Sequence, residues 1–372
     1  MDPRSQFCHN PDCPARGKAG EGNIRTHSQK ERRYLCHTCG KTFAATRGTP
    51  FFRLHQAMEV VTIVITLLCH GCPIQAIVAA FGFDERTVAR WFAAAGDHCQ
   101  KVHEHLVEQG AVNLKHVQAD ELWVKLVGRK VWMAMALAVP TRLWLGGAIS
   151  PQRDLQLITK LVNQVRSCAK DLAILVCVDG LASYVTAFLK VFRNPVRTGQ
   201  RGRPPLVLEE GFLLGQVVKS YVKGRVVGVS QRVVRGSLGA IEGVLKATGT
   251  GKGINTAYIE RLNATFRGAL AVLVRRGRAI AHKEGVLTVG MYLVGCAYNF
   301  CWYHESLRLA AAAGANNKWQ EWTPAMAAGL TDHPWSLLEL LSYKVPLPPW
   351  VAPKRRGRPP KVVLPPLMAV AA

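Results

Sequence analysis

The strongest constraint on the fold is an order of segments that begins near residue 113, where the chain's periodicity changes from helical to extended. Residues 117–127, 130–139 and 142–149 read as strands, with Gly128-Arg129 and Pro140-Thr141 at the turns. A helix is expected over 155–168, then a wholly apolar strand over 173–178 ending in Asp179-Gly180, then a helix over 183–192. Three strands at hairpin spacing make a meander. A buried strand reached through a crossover helix lies parallel to its neighbour, and functional groups gather at the carboxyl ends of such strands. Asp120 and Glu121 fall on the first strand and Asp179 ends the fourth.

A third acid comes from far along the chain. In residues 254–267, Tyr258, Ile259, Leu262 and Phe266 recur at steps that suit an amphipathic helix, and Glu260 sits beside that stripe with Arg261, Asn263 and Arg267. An α/β chain with one acid on the first strand, another ending the fourth and a third on a late helix has the arrangement of a ribonuclease-H-like core, a mixed sheet with flanking helices. Three converging carboxylates can hold two Mg²⁺ (or Mn²⁺) ions bridged by a phosphate, because hard oxygen ligands select those ions. Taken singly, Asp179 reads as a helix cap, and Asp120 or Glu121 as an edge charge.

Two smaller modules precede this core. Cys8-x4-Cys13 and Cys36-x2-Cys39 are two thiol pairs with a polar, basic stretch between them, the ligand set of a closed structural Zn²⁺ site, so residues 1–48 are expected to form a zinc ribbon. His9 or His37 is a possible replacement ligand, whereas Cys69-His-Gly-Cys72 reads as a helix end. Helices are expected over 56–68, 74–81 and 84–95, the last capped by Asp84 after Gly82-Phe83, which makes 56–100 a helix-turn-helix. Val88, Trp91 and Phe92 would pack inward, leaving Arg86, Thr87 and Arg90 to face a DNA groove.

Composition names the class of partner. Lys and Arg number 48 against 24 Asp and Glu, a formal charge of +24, which suits a polyanion bound through its phosphates. With 49% hydrophobic residues the chain is globular. The first sixteen residues lack the apolar core of a signal peptide, and the apolar runs 60–69 and 131–139 are short for a membrane span, so a cytoplasmic protein with reduced thiols is expected. Two copies of an Arg-Gly-Arg-Pro core, at Arg201 and Arg203 and again at Arg356 and Arg358, look like AT-hooks suited to the minor groove.

The chain resembles the DDE transposases of bacterial insertion sequences, most closely the insertion-sequence-one type. The resemblance rests on Asp120-Glu-Leu-Trp123, Asp179-Gly-Leu-Ala-Ser-Tyr184, Asn255-Thr-Ala-Tyr-Ile-Glu-Arg-Leu-Asn263, Tyr298-Asn299 and His304-x-x-Leu307-Arg308, and covers roughly residues 8–308. It implies that Asp120, Asp179 and Glu260 are the catalytic, metal-binding triad, with Glu121 the competitor for Asp120. It also implies binding of terminal inverted repeats and target DNA, strand cleavage followed by strand transfer, action as a homo-oligomer without membrane attachment, and association with the nucleoid. His304 is either an accessory group or a structural helix histidine. The alternatives are a non-catalytic DNA-binding regulator and a nuclease of the same fold that does not transfer strands. Within the catalytic region, 113–308, residues around 194–240 read as a basic insertion. A C-terminal extension, 309–372, is expected to be helical over 319–341 with Trp322 and Trp335 as packing residues, followed by an extended, proline-rich tail.

Overall fold

The structure, a computed structural model, describes residues 2–197, 199, 201–274, 277, 279–311 and 318–352. Arg356 and Arg358 of the tail hook lie outside these residues. The described residues divide into two compact units, one formed by residues 2–47 together with 346–352, the other drawn from Gly48–Val345.

The first unit is built on a three-stranded antiparallel sheet of β1 (Ile24–Ser28), β2 (Arg33–Cys36) and β3 (Thr42–Ala44). Its core is only Cys8, Cys13, Ala15, Ile24, Tyr34, Cys36 and Phe43, with Cys39 and Ala45 partly buried against it. So few apolar side chains leave little driving force for folding. Gly40, at φ +66°, makes the left-handed turn after the second cysteine pair and donates its N–H to the Cys36 carbonyl at 2.8 Å.

The second unit opens with α1 (Met58–Cys69), α2 (Ile74–Phe81) and α3 (Glu85–Leu106). Asp84 caps α3 as expected, its Oδ1 accepting from the Arg86 and Thr87 N–H groups at 2.9 and 3.2 Å. The helix does not stop at residue 95. The apolar stripe continues through Ala95, Cys99 and Val102 into the core, and Gly96 lets α8 (Glu284–Cys296) approach so closely that an added Cβ would meet the Val289 carbonyl oxygen at 2.4 Å. The helix-turn-helix segment and the sheet therefore belong to one compact unit.

The meander appears as β4 (His116–Leu126), β5 (Arg129–Ala138) and β6 (Leu143–Ser150), followed by α4 (Leu155–Cys168), β7 (Leu175–Asp179) and α5 (Ala182–Val191). After these come the short pair β8 (Arg193–Pro195) and β9 (Leu206–Leu208), then β10 (Leu213–Val222), β11 (Arg225–Arg235), α6 (Leu238–Thr248) and α7 (Ala257–Ala269). Six strands form one mixed sheet in the order β11-β10-β7-β4-β5-β6, with β7 parallel to both β4 and β10. Helices flank it: α4 packs on β5 and β6 and α5 on α4, α7 on β4 and β5, α8 on β6 and α3, and α6 on β10 and β4. β7 is buried on both faces, as an interior parallel strand must be: Val176 and Val178 enter the main core while Leu175 and Cys177 meet Ile241 and Leu245 of α6. This mixed α/β architecture is compatible with the expected ribonuclease-H-like core.

Three expectations need correction. The segment read as a basic insertion supplies two strands of the main sheet; Lys223 and Gly224, both at positive φ, turn the β10–β11 hairpin in the manner its right-handed twist favours. Residues 319–341 are not one helix, because Pro324, Gly329 and Pro334 interrupt them. They form β13 (Trp319–Gln320), paired with β12 (Leu309–Ala310), and the short α9 (Pro324–Ala327) and α10 (Leu337–Ser342). Trp335 does pack, stacking on Phe300 and Tyr343 at 4.7 and 5.3 Å. Finally, Glu284–Leu307 is long and apolar enough to cross a bilayer by length and composition, a stretch the apolar run lengths did not flag; 67% of its apolar 18-residue window is buried inside the protein, as in a core helix.

Candidate active site

Register brings the first two acids together. Ala119 pairs with Val178 across the parallel β4–β7 ladder, so Asp120 and Asp179 are the next residues on neighbouring strands. Oxygens of Asp120, Glu121 and Asp179 lie within 4.8 Å of one another. The Asp120 Oδ2 accepts from the Asn263 amide on α7 at 2.8 Å, and the Asp179 Oδ1 accepts from the Leu181 N–H at 3.0 Å.

Glu121 is held from the other side. Tyr184 of α5 donates its hydroxyl to Glu121 Oε2 at 2.8 Å, and the Arg153 guanidinium donates to Oε1 while its Nη2 reaches Asp179 Oδ2 at 3.0 Å. The same guanidinium lies over the Trp132 ring, 5.2 Å from its centroid. Glu121 is therefore a buried, bridged carboxylate, and Asp120 is the one positioned by α7.

Glu260 reaches the site through a strand residue the sequence reading passed over. Gln118, fully buried two residues before Asp120, accepts from the Tyr258 and Ile259 N–H groups at 3.0 and 3.1 Å and donates to the Asn255 carbonyl at 2.8 Å. It thus satisfies first-turn amides of α7 that no helical carbonyl can reach. Glu260, on that first turn, is exposed; its Oε1 accepts from Lys219 of β10 at 3.0 Å and from the Thr256 hydroxyl at 3.1 Å. Glu260 shares with the other acids an open cleft of about 820 Å³, also lined by Arg153, Lys219, Asn263 and Arg267, but it lies outside the tight three-acid cluster.

Crowding sets the electrostatics. Burial, then repulsion from Glu121, Asp179 and Glu260, pushes Asp120 up to about 7. Burial and Asp179 raise Glu121 against the pull of Arg153, and burial beside these acids raises Tyr184 well above a phenol's usual range. Such a cluster could hold a divalent cation: Asp120, Glu121 and Asp179 offer hard oxygen donors and carry more negative charge than Arg153 alone offsets.

In the first unit, the Cys8 and Cys39 sulfurs are 3.6 Å apart and those of Cys13 and Cys36 3.9 Å, and all four lie within 4.8 Å of one another. A tetrahedron with metal–sulfur bonds of about 2.3 Å has edges of roughly 3.8 Å. The four thiols can hold one metal ion, and neither His9 nor His37 belongs to the cluster; the His9 ring packs against Phe7 and Phe43.

The remaining candidates are scattered. On α3, Arg86 and Arg90 are exposed and Thr87 half-buried, while Val88, Trp91 and Phe92 are buried. Arg201 and Arg203 are exposed in the loop joining β8 to β9. Arg261 is exposed on α7, Arg267 lines the acidic cleft, and Asn263 is buried with its amide on Asp120, so its role is to hold a carboxylate and not to face a groove. His304 is neither in a helix nor at the acidic cleft: it precedes a short 3₁₀ turn and accompanies Arg142 and Arg261 in a separate pocket. No known family model matches the chain, and no curated protein matches it.

Proposed function

We propose that the chain is a DDE-type transposase that cuts DNA at terminal inverted repeats and joins the freed 3′ ends to target DNA. The observation that carries this reading is the meeting of Asp120, Glu121 and Asp179 on adjacent parallel strands, with Glu260 brought to the same cleft by a helix that Gln118 anchors. Asp120, Asp179 and Glu260 would hold Mg²⁺ or Mn²⁺, which when bound activates the attacking oxygen and stabilises the leaving one. The protein's own groups do the rest. Asn263 keeps one Asp120 oxygen oriented, Arg153 and Tyr184 fix Glu121, and Arg267 and Lys219 line the cleft with positive charge that suits a phosphodiester. Cleavage breaks the bond between phosphorus and the 3′ oxygen as a water oxygen attaches; in transfer, the freed 3′ hydroxyl is the nucleophile.

Cys8, Cys13, Cys36 and Cys39 would hold structural Zn²⁺, making the first unit a zinc ribbon. Arg86, Thr87 and Arg90 at the start of α3, together with the +24 charge, support binding of the terminal repeats through a groove.

The test is Mg²⁺-dependent nicking and joining of a labelled duplex carrying the ends of the element that encodes the chain, with Glu260→Gln alongside. Wild type is expected to nick and join, and the variant to bind without either. Equal binding with no cutting by either protein overturns the enzyme in favour of a DNA-binding regulator; nicking without joining overturns strand transfer in favour of a nuclease.

A further inference from the structure

Helix α7 has two working faces. Glu260, Asn263 and Arg267 look into the acidic cleft, whereas Tyr258, Arg261, Leu262 and Thr265 line a separate pocket of about 160 Å³ completed by Leu137, Arg142, Tyr298, His304, Glu305 and Ser306. That volume is the liquid share of roughly five water molecules, room for one small polar group.

The pocket is built for an anion. Arg142 occupies the left-handed region at φ 57° in the β5–β6 turn, a conformation disfavoured for a side chain of its size. Its guanidinium is fixed by the Val139 carbonyl, by the Ser306 hydroxyl at 3.2 Å from Nε and by the Tyr258 ring at 4.1 Å. Among the described residues neither Arg142 nor Arg261 takes part in an ion pair, although Glu305 lies on the same wall. Tyr258, Tyr298, Thr265 and Ser306 line the same pocket, the Thr265 hydroxyl donating to the Arg261 carbonyl at 3.1 Å, and Ser306 Oγ is also within 3.0 Å of His304 Nδ1. Burial first, then the field of Arg142 and Arg261, lowers His304 to about 4, so the imidazole is a neutral hydrogen-bonding group there at physiological pH.

We propose that this pocket binds one backbone phosphate of the DNA strand whose scissile bond lies in the acidic cleft, a proposal that rests on the DNA-cutting reading of that cleft. The two sites lie on opposite faces of one helix, about 10–12 Å across, so the clamped phosphate lies within a few nucleotides of the cut. Arg142 and Arg261 are positioning residues that set where the strand crosses Glu260.

The experiment measures metal-free binding of full-length wild type, Arg142→Gln and Arg261→Gln to the terminal duplex. Single phosphates near the cut are replaced one at a time by neutral methylphosphonates, and ¹⁵N-histidine spectra are followed during titration with inorganic phosphate. Arg261 is exposed, so its variant keeps the test open should Arg142→Gln fold poorly. Wild type should lose about tenfold in affinity, about 1.4 kcal/mol, at one methylphosphonate position near the cut. Both variants should bind the unmodified duplex more weakly, with a salt slope smaller by about one, and be indifferent to that substitution. Inorganic phosphate should shift the His304 resonances of wild type only. Unchanged affinity and interference pattern in both variants overturns the proposal; a phosphate-induced His304 shift with that unchanged pattern overturns the DNA source and leaves a free-anion pocket. Failure of wild type to bind duplex overturns both readings, whereas loss of cutting with the methylphosphonate pattern intact overturns only the chemistry of the cleft.

Discussion

The cysteine cluster of the first unit and the carboxylate cluster of the second are opposite solutions to gathering metal ligands. The four thiols come from one short stretch and make up much of a small core that otherwise holds Ala15, Ile24, Tyr34 and Phe43, whereas the carboxylates are displayed on a sheet whose core is complete without them. A ligand set that builds its own fold and one that is mounted on a fold fail differently. On the proposed reading, losing the ion would cost the first its structure, whereas losing a carboxylate would cost the second its activity and relieve repulsion among the acids.

The largest expected effect separates the two directly. Chelation or Cys36→Ser should unfold residues 24–44 while leaving the second unit's melting unchanged, since structural zinc contributes on the order of 10 kcal/mol to such modules. Amide exchange resolved by residue checks it, and protection persisting in β1–β3 after chelation would break the contrast.

Next comes Asp120→Asn. Nicking should fall on the order of 10³-fold, the scale for removing a preorganised electrostatic group, while the metal-free protein becomes more stable. The sign follows from linkage. Asp120 is raised from 3.8 to about 7, so the folded state holds the proton more tightly than the unfolded state, and stability falls as pH rises from about 4 to 7. At about 1.4 kcal/mol per unit, the loss reaches about 4 kcal/mol at most. The buried histidines run the other way: burial lowers His98 and His103 to about 4 and His116 to about 3, so their contribution disappears as pH falls below 6.5. Denaturant melts across pH 4–8 should show Asp120→Asn gaining steadily on wild type between about pH 4 and 7, with the loss of stability below pH 6.5 from the histidines still present; a variant less stable than wild type at pH 7 without metal contradicts the mounted-ligand view.

Gln118→Ala should lower stability by about 1–3 kcal/mol, because the N-terminal amides of α7 lose a buried acceptor. Nicking should fall with it, as Glu260 loses its anchor, and partial rescue by Gln118→Glu in a paired assay would sharpen the point. The smallest change is expected from Tyr184→Phe, which removes one hydrogen bond to Glu121: about 0.5–1.5 kcal/mol in urea melts.

The same contrast explains what was legible in the sequence. Cys8, Cys13, Cys36 and Cys39 were readable because their spacing is local, and residues 74–81 and 155–168 emerged as helices with those bounds because hydrophobic periodicity reports local geometry. The meeting of Asp120 and Asp179 on neighbouring strands was readable from segment order, whereas Glu260 lies outside the tight cluster they form with Glu121. Gln118, Arg153 and Lys219 were not readable, since each acts on a partner between 26 and 141 positions away and nothing in its neighbours announces that contact. The β10–β11 hairpin was hidden by its charge: the outer strand is almost wholly exposed, so its Val and Arg residues lack the alternation that marks a half-buried strand. Asn263 misled for the opposite reason, a polar residue on a basic helix whose side chain turned inward to Asp120.

Helix α3 carries a mechanical consequence. Its 22 residues make a rod of about 33 Å, with Arg86 and Arg90 near one end and the close Gly96 crossing with α8 further along. No hinge separates them, so torque applied at the arginines is delivered to the crossing as by a lever on a fulcrum. A nucleic acid gripped there would be gauged against the six-stranded sheet by a stiff ruler, and lengthening that ruler by one residue would turn its grip through about 100°.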